Sequence, residues 1–264
     1  MIKAFYNLKS LPFQKNIHTK NIYASSAGKE LLQRLEYIKD KRGIMLLTGL
    51  SGTGKTTHIR TFVDSLNPNL FKTIYLPLAT VNTLDFYRQL AVALGADPKW
   101  KKSELFLAIQ NSIKHYVTDN KKIPVIIFDE IHLLKNENFT ELQIITNFNI
   151  DSEDPAVFIL VGQPHIRDRL QSPVHQSFNQ RITLKFNLTP LTKQETQDYV
   201  DHQLKLAGIK HPLFDQNAIN ALYKNSNGTP RIINTIAVKT MTLGALEKKE
   251  NLSEDDVYKA SKEL

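Results

Sequence analysis

Gly49-Leu50-Ser51-Gly52-Thr53-Gly54-Lys55-Thr56 matches G-x-x-x-x-G-K-[ST] at every defined position. The apolar, β-branched run Ile44–Thr48 precedes it, and a segment of helical period follows Lys55. Strand, glycine loop and helix in that order describe a loop whose backbone N–H groups converge on phosphate oxygens. The partial positive charge of the following helix adds to that cradle. Lys55 is expected to reach the β and γ phosphates and the Thr56 hydroxyl to ligate Mg²⁺, with Thr57 next in the same helical turn.

A second motif lies about 70 to 75 residues downstream, a separation suited to a phosphate-binding α/β core. In Val125-Ile126-Ile127-Phe128-Asp129-Glu130, four consecutive apolar residues describe a strand buried on both faces. Two carboxylates follow at its C-terminal end, where open α/β sheets bind their ligands. Asp129 is expected to hold the Mg²⁺ shell and Glu130 to polarise the attacking water. The acidic pair points to hydrolysis, and no Asn/Thr-Lys-x-Asp element of the guanine-binding kind is visible, which favours ATP.

Outward from these motifs, short apolar segments alternate with helical ones, the pattern of a parallel sheet. Strands are expected at Ile44–Thr48, Thr73–Pro77, Pro124–Phe128, Ala156–Gly162 and Ile182–Phe186. Helical patterns run from Leu84 to Leu94 and from Glu104 to Val117, and others begin near Phe139 and Ile166. From about Leu188 the strands stop. Thr192-Lys193-Gln194-Glu195 reads as a capping box, Asp215 as a helix cap, Pro230 as the start of a third helix and Ser253 as the start of a fourth. The expected architecture is α/β, a P-loop fold with a five-stranded parallel sheet over residues 1–188 and an all-α domain over 189–264. Pro190 marks a hinge between them.

Composition limits the chemistry. The chain of 264 residues contains no cysteine, which excludes disulfides, thiolate metal sites and thiol catalysis. No apolar run reaches the ~20 residues of a membrane helix, and the N-terminus lacks the form of a signal peptide, so a cytoplasmic protein without a membrane partner is expected. The histidines show no metal-ligand spacing; His165 and His175 are examples. Lys and Arg total 34 against 26 Asp and Glu, for a net charge of +8. That balance favours a polyanionic partner, duplex DNA first, although solubility alone would also account for it. The lysines for a phosphate track are Lys99, Lys101 and Lys102 around Trp100, with Thr83, Lys121, Lys122 and Lys135. Lysine and small polar groups bind phosphate without reading bases.

Four further stretches carry a resemblance. They are Tyr6-Asn7-Leu8-Lys9-Ser10-Leu11-Pro12-Phe13, Val161-Gly162-Gln163-Pro164, Gln180-Arg181-Ile182 and Gly228-Thr229-Pro230-Arg231-Ile232-Ile233-Asn234. With both phosphate motifs they make the chain similar to AAA+ ATPases of the group that includes the general-secretion ATPase ExeA and the transposon-encoded target-selection ATPases of the TniB, TnsC and MuB type. The resemblance implies that residues 189–264 form a lid. It implies that Gln163 is the polar sensor beside the acidic strand, and that Arg181 enters a neighbouring subunit's site, with Arg167 and Arg169 as competitors. It makes Arg231 the lid arginine that touches the γ phosphate, and puts Phe13 near adenine. Arg231 in a helix's first turn is itself mildly unfavourable without an anion nearby.

For function, the resemblance implies slow, Mg²⁺-dependent ATP hydrolysis coupled to self-assembly into a ring or helical filament. The expected role is regulation of DNA transposition, by assembly on duplex DNA and recruitment or activation of a transposase. One alternative is a secretion-pathway ATPase of the ExeA kind; those proteins continue beyond the ATPase module into a membrane span and a cell-wall-binding region, whereas this sequence stops at Leu264. The other is an AAA+ switch that assembles protein partners without DNA.

Overall fold

The computed structural model describes residues 2–77, 82–149 and 152–262. A short helix α1 (Ile2–Phe5) and the long α2 (Ser26–Lys41) precede β1 (Gly43–Gly49), α3 (Lys55–Ser65) and β2 (Phe71–Pro77). Then come α4 (Thr83–Ala93), α5 (Lys102–Thr118), β3 (Ile123–Asp129), α6 (Asn136–Ile145) and β4 (Val157–Gly162). Two short helices, α7 (Ile166–Gln171) and α8 (Gln176–Arg181), lead into β5 (Ile182–Leu188). Four helices follow: α9 (Lys193–Leu206), α10 (Gln216–Ser226), α11 (Pro230–Leu246) and α12 (Glu254–Ser261).

The five strands are parallel and lie in the order β2-β3-β4-β1-β5. Every residue of β1 is buried, as are Pro124 to Asp129 of β3 and all of β4. These are the continuous apolar strands of a sheet covered on both faces. Because β4 separates β1 from β3, the glycine loop after β1 and the carboxylates after β3 emerge two strands apart. At strand spacings of about 4.8 Å, that leaves roughly 10 Å between them.

The chain divides into two compact units. One contains residues 29–50 and 55–188, the sheet with its helices; the other contains 1–28, 51–54 and 189–264. The first has its own core, in which Phe86, Phe128, Phe139, Phe158 and Phe178 are buried. The second is built around Val200, Leu213, Leu222, Ile233, Ile236 and Val257. Residues 1–28, expected with the sheet, group with the helical unit because Leu8 and Phe13 are buried in its core.

The sequence reading places no element between the N-terminal segment and β1. There α2 buries Leu31, Leu35 and Ile38, the i, i+4, i+7 spacing of an amphipathic helix. In the helical unit the capping box is complete: Thr192 Oγ1 accepts from the Glu195 backbone N–H, and Glu195 Oε2 accepts from that of Thr192. Gly228 joins α10 to α11 at φ +69°, where a Cβ would stand 1.9 Å from the Leu191 carbonyl oxygen. Only glycine fits there.

Candidate nucleotide site

The glycine loop turns at Gly52 and Gly54, which have φ of +84° and +99°. These are left-handed conformations that only glycine holds without strain. Lys55 opens α3 and is buried; its Nζ donates to the carbonyl oxygens of Gly49 at 2.7 Å and Leu50 at 3.0 Å. A buried ammonium aimed at the inside of a glycine loop is poised for phosphate oxygens.

The two motifs meet at one carboxylate. Thr56 Oγ1 donates to Asp129 Oδ2 at 3.2 Å, and Tyr75 Oη donates to the same oxygen at 2.8 Å. The Glu130 backbone N–H takes the other oxygen, Oδ1, at 2.9 Å. Asp129 is 5% exposed, so its orientation is set by these three donors. The carboxylate in turn pushes the Tyr75 phenol above its ordinary pKa, though burial of the ring is the larger cause. A hydroxyl and a carboxylate oxygen side by side are the hard donors that Mg²⁺ takes, with water and phosphate filling the other positions.

Glu130 follows in a left-handed conformation, φ 58° and ψ 35°. The kink turns its side chain outward, half exposed, while Asp129 stays inside. Gln163, at the end of β4, lies 3.1 Å from His132 through the two Nε2 atoms, and His132 Nδ1 lies 3.3 Å from Glu130 Oε2. Burial draws the His132 pKa below its ordinary 6.5, against the opposing pull of Glu130.

The three arginines differ sharply. Arg169 spends its guanidinium on the carbonyls of His132 and Leu134 and on Asn136 Oδ1, at 2.7 to 2.8 Å, and lies over the Phe139 ring. Arg181 donates to the Gln143 carbonyl at 2.7 Å and the Thr146 carbonyl at 3.3 Å, at the C-terminal end of α6. Both hold local structure in this conformation. Arg167, on α7, is exposed.

Within the helical unit, Arg231 touches residues 51–54 twice. Its Nη1 donates to Ser51 Oγ at 3.2 Å and its backbone N–H to the Gly52 carbonyl at 3.3 Å. A Cβ on Gly52 would lie 2.8 Å from the Arg231 Cβ, so that approach requires a glycine. Thr53 is buried. Phe13, at φ +59°, lines an apolar cavity of about 220 Å³ with Leu11, Pro12, Val238 and Met241.

The expected phosphate track does not form one patch. Lys102, half exposed, donates at 2.5 Å to the carboxylate of Glu141, a buried residue that also accepts from Tyr87 Oη. Lys121 and Lys122 precede β3 whereas Lys135 follows it, so they lie at opposite ends of a strand roughly 20 Å long. Lys99 and Lys101 flank Trp100, which is 84% exposed, with the Arg88 guanidinium 5.5 Å from its ring centroid. Thr83 opens α4 behind its Asn82 cap.

Sequence reasoning missed Tyr75 and His132. For His132 a signal existed: it stands two residues after Glu130. For Tyr75 none did, because its role depends on β2 pairing with β3.

A family model described as an AAA domain matches residues 38–170, half of the chain, and spans both phosphate motifs. The chain belongs to the AAA family. Membership carries nucleotide binding and nucleoside-triphosphatase chemistry, generally with Mg²⁺. This AAA protein is 28% identical over 267 residues to general secretion pathway protein A of Aeromonas hydrophila, a match covering all of the chain but 48% of the relative. It therefore spans about half the length of that curated relative. Among solved structures it resembles Cdc6p of Pyrobaculum aerophilum, with a TM-score of 0.72 at 16% identity over 95% of this chain and 70% of that one. It also resembles the Aeropyrum pernix ORC1 protein, solved in complex with DNA, with a TM-score of 0.69 at 17% identity over 94% and 68%. Among the described residues, no helix is long and apolar enough to cross a membrane.

Proposed function

We propose that this AAA protein is a Mg²⁺-dependent ATPase whose helical unit reads the state of the phosphate loop and couples it to self-assembly. The observation that carries this reading is the Thr56–Asp129 contact at 3.2 Å, which brings a hydroxyl from the loop helix against a carboxylate from β3. A magnesium ion bound there would neutralise charge on the β and γ phosphate oxygens. Lys55 binds those oxygens, and Glu130, with its carboxylate half exposed, takes the proton of the attacking water. Arg231 adds a cation at Ser51 and Gly52, so the position of α11 answers to the charge held by the loop. Phe13 and its apolar cavity suit a flat base. An arginine from a neighbouring copy completes the site, which makes turnover slow until a ring or helical filament forms.

For the client we propose duplex DNA, bound without base reading in the ATP state, with a transposase recruited or activated by the assembly. The net charge of +8 supports a polyanionic track, and a protein of the same fold has been solved on DNA. The exposed Lys99 and Lys101 are its first contacts, and the site of action is cytoplasmic, where ATP is held. A second reading, an ATPase module of a secretion-pathway protein, is supported by the match of the whole of this chain to about half of general secretion pathway protein A.

Sizing the protein with ATP, ADP or no nucleotide, with and without linear duplex, tests both layers. ATP-dependent assembly is expected, with duplex affinity that falls steeply with salt as phosphate contacts release counterions. Unchanged size in ATP would overturn the switch; duplex binding indifferent to nucleotide and salt would leave the secretion reading in its place.

A further inference from the structure

The turn after β3 holds a chain of contacts that phosphate binding does not require. Glu130 turns the backbone through a left-handed conformation into the short helical turn Ile131–Leu133. That turn rests on Gly162 at the end of β4, where a Cβ would come 3.0 Å from Ile131 Cγ1 and 3.5 Å from the His132 backbone nitrogen. Arg169 clamps the turn through the carbonyls of His132 and Leu134. The imidazole of His132 is thereby fixed between Gln163 and Glu130, with its side chain only 9% exposed.

The donor rules set the tautomer. Gln163 Nε2 is an amide nitrogen and only donates, so His132 Nε2, 3.1 Å away, accepts. The ring hydrogen then sits on Nδ1. That nitrogen is buried and lacks a well-aligned partner among the described residues; Glu130 Oε2 is an acceptor 3.3 Å away. Reorientation of the half-exposed Glu130 side chain would bring the two into line. Buried donors are nearly always satisfied, so this one marks where the carboxylate belongs.

We propose that His132 is a positioning residue that couples Gln163 to Glu130. This rests on the ATPase reading above and concerns how its base is aimed. Glu130 is long and half exposed, and alone its carboxylate would sample several rotamers. An N–H from Nδ1 anchors one oxygen and leaves the other for a water proton. Gln163 holds the tautomer that makes this possible, so an interaction that draws the Gln163 amide away also releases the base. The charged and titratable groups around the ring are Glu130, His165, Lys55 and Arg169. Protonation of the ring would abolish its acceptor and uncouple Gln163.

The test uses the full chain and follows ATP binding and turnover from about pH 5 to pH 8. His132→Ala is expected to lose about 10- to 100-fold in kcat, the usual cost of removing a group that orients a reacting one. ATP affinity should stay within about twofold, and His132→Ala/Gln163→Ala should be no slower than the slower single variant. His132→Asn keeps an N–H facing Glu130 and cannot ionise, so it should restore most of the turnover and flatten the acid limb of its pH profile. A kcat for His132→Ala within about twofold of the parent, or single losses that multiply in the double variant, would overturn the proposal. A parent protein that neither binds nor hydrolyses ATP would instead remove the ATPase reading itself, before any variant is compared.

Discussion

Thr56 and Asp129, from two different motifs, share a hydrogen bond of 3.2 Å from Oγ1 to Oδ2. The contact joins the first turn of α3 to the tip of β3, although β4 lies between β1 and β3 in the sheet. Thr56 is exposed and Asp129 is buried, so the bond ties a surface hydroxyl to an inner carboxylate.

Lys55, next to Thr56 in the first turn of α3, supplies a buried cation. Lys55→Ala should weaken ATP binding by about 100-fold, roughly 3 kcal/mol, as expected when a charge-assisted hydrogen-bond set is lost. Calorimetry reads this directly, and undiminished affinity would remove the phosphate-site assignment.

Glu130→Gln should bind ATP normally yet turn it over about 10²- to 10⁴-fold more slowly, since the amide cannot accept a proton from water. Its ATP-bound assembly should persist for longer than the parent's in sizing experiments. Removal of magnesium with EDTA should stop turnover in both.

Arg181→Ala should cost about 1 to 3 kcal/mol of stability in denaturant titration, because its guanidinium closes the last carbonyls of α6. Exposed Arg167 should give a variant within about 0.5 kcal/mol of the parent. If Arg167 acts across subunits, Arg167→Ala loses turnover, and mixing it with Lys55→Ala restores part. An Arg181→Ala protein as stable as the parent, with rescue in the same mixture, would return the role to Arg181.

Gly228→Ala should destabilise the helical unit by more than about 3 kcal/mol, since its Cβ would overlap the Leu191 carbonyl and its φ is left-handed. Thermal unfolding followed by circular dichroism is sufficient to measure this.

Acid should loosen the helical unit through Glu195. Burial alone would raise this carboxyl, but hydrogen bonds from Ser26 and Thr192 win and lower it below the ordinary 4.5. A depressed folded pKa means that its stabilisation is complete above about pH 4.5 and is lost as the pH falls through the folded value. Glu195→Gln should lower stability at neutral pH by about 1 kcal/mol, the usual worth of a cap. It should also flatten the acid limb of the stability profile; an unchanged limb would count against Glu195 as its source.

Much of this was open to reading along the chain. The loop from Gly49 to Thr56, the strand ending in Asp129 and Glu130, and the helix caps at Thr192 and Asp215 are local patterns, whose glycines, apolar runs and capping side chains act within a few residues. The fold class followed from their alternation. Helix α2 was missed, although the spacing of Leu31, Leu35 and Ile38, all buried in the fold, carries its signal.

Tertiary structure decided what those residues touch. Tyr75 reaches Asp129 because β2 pairs with β3, and Gln163 reaches His132 because β4 lies beside β3. Arg181 reads in one dimension as a cation for a neighbouring subunit's site and Lys102 as one for DNA phosphate; in this conformation Arg181 meets the α6 carbonyls and Lys102 meets Glu141. Local sequence specifies which backbone shapes are cheap; the partner of a long charged side chain is selected only when distant elements pack, because desolvation makes an unpaired charge costly there.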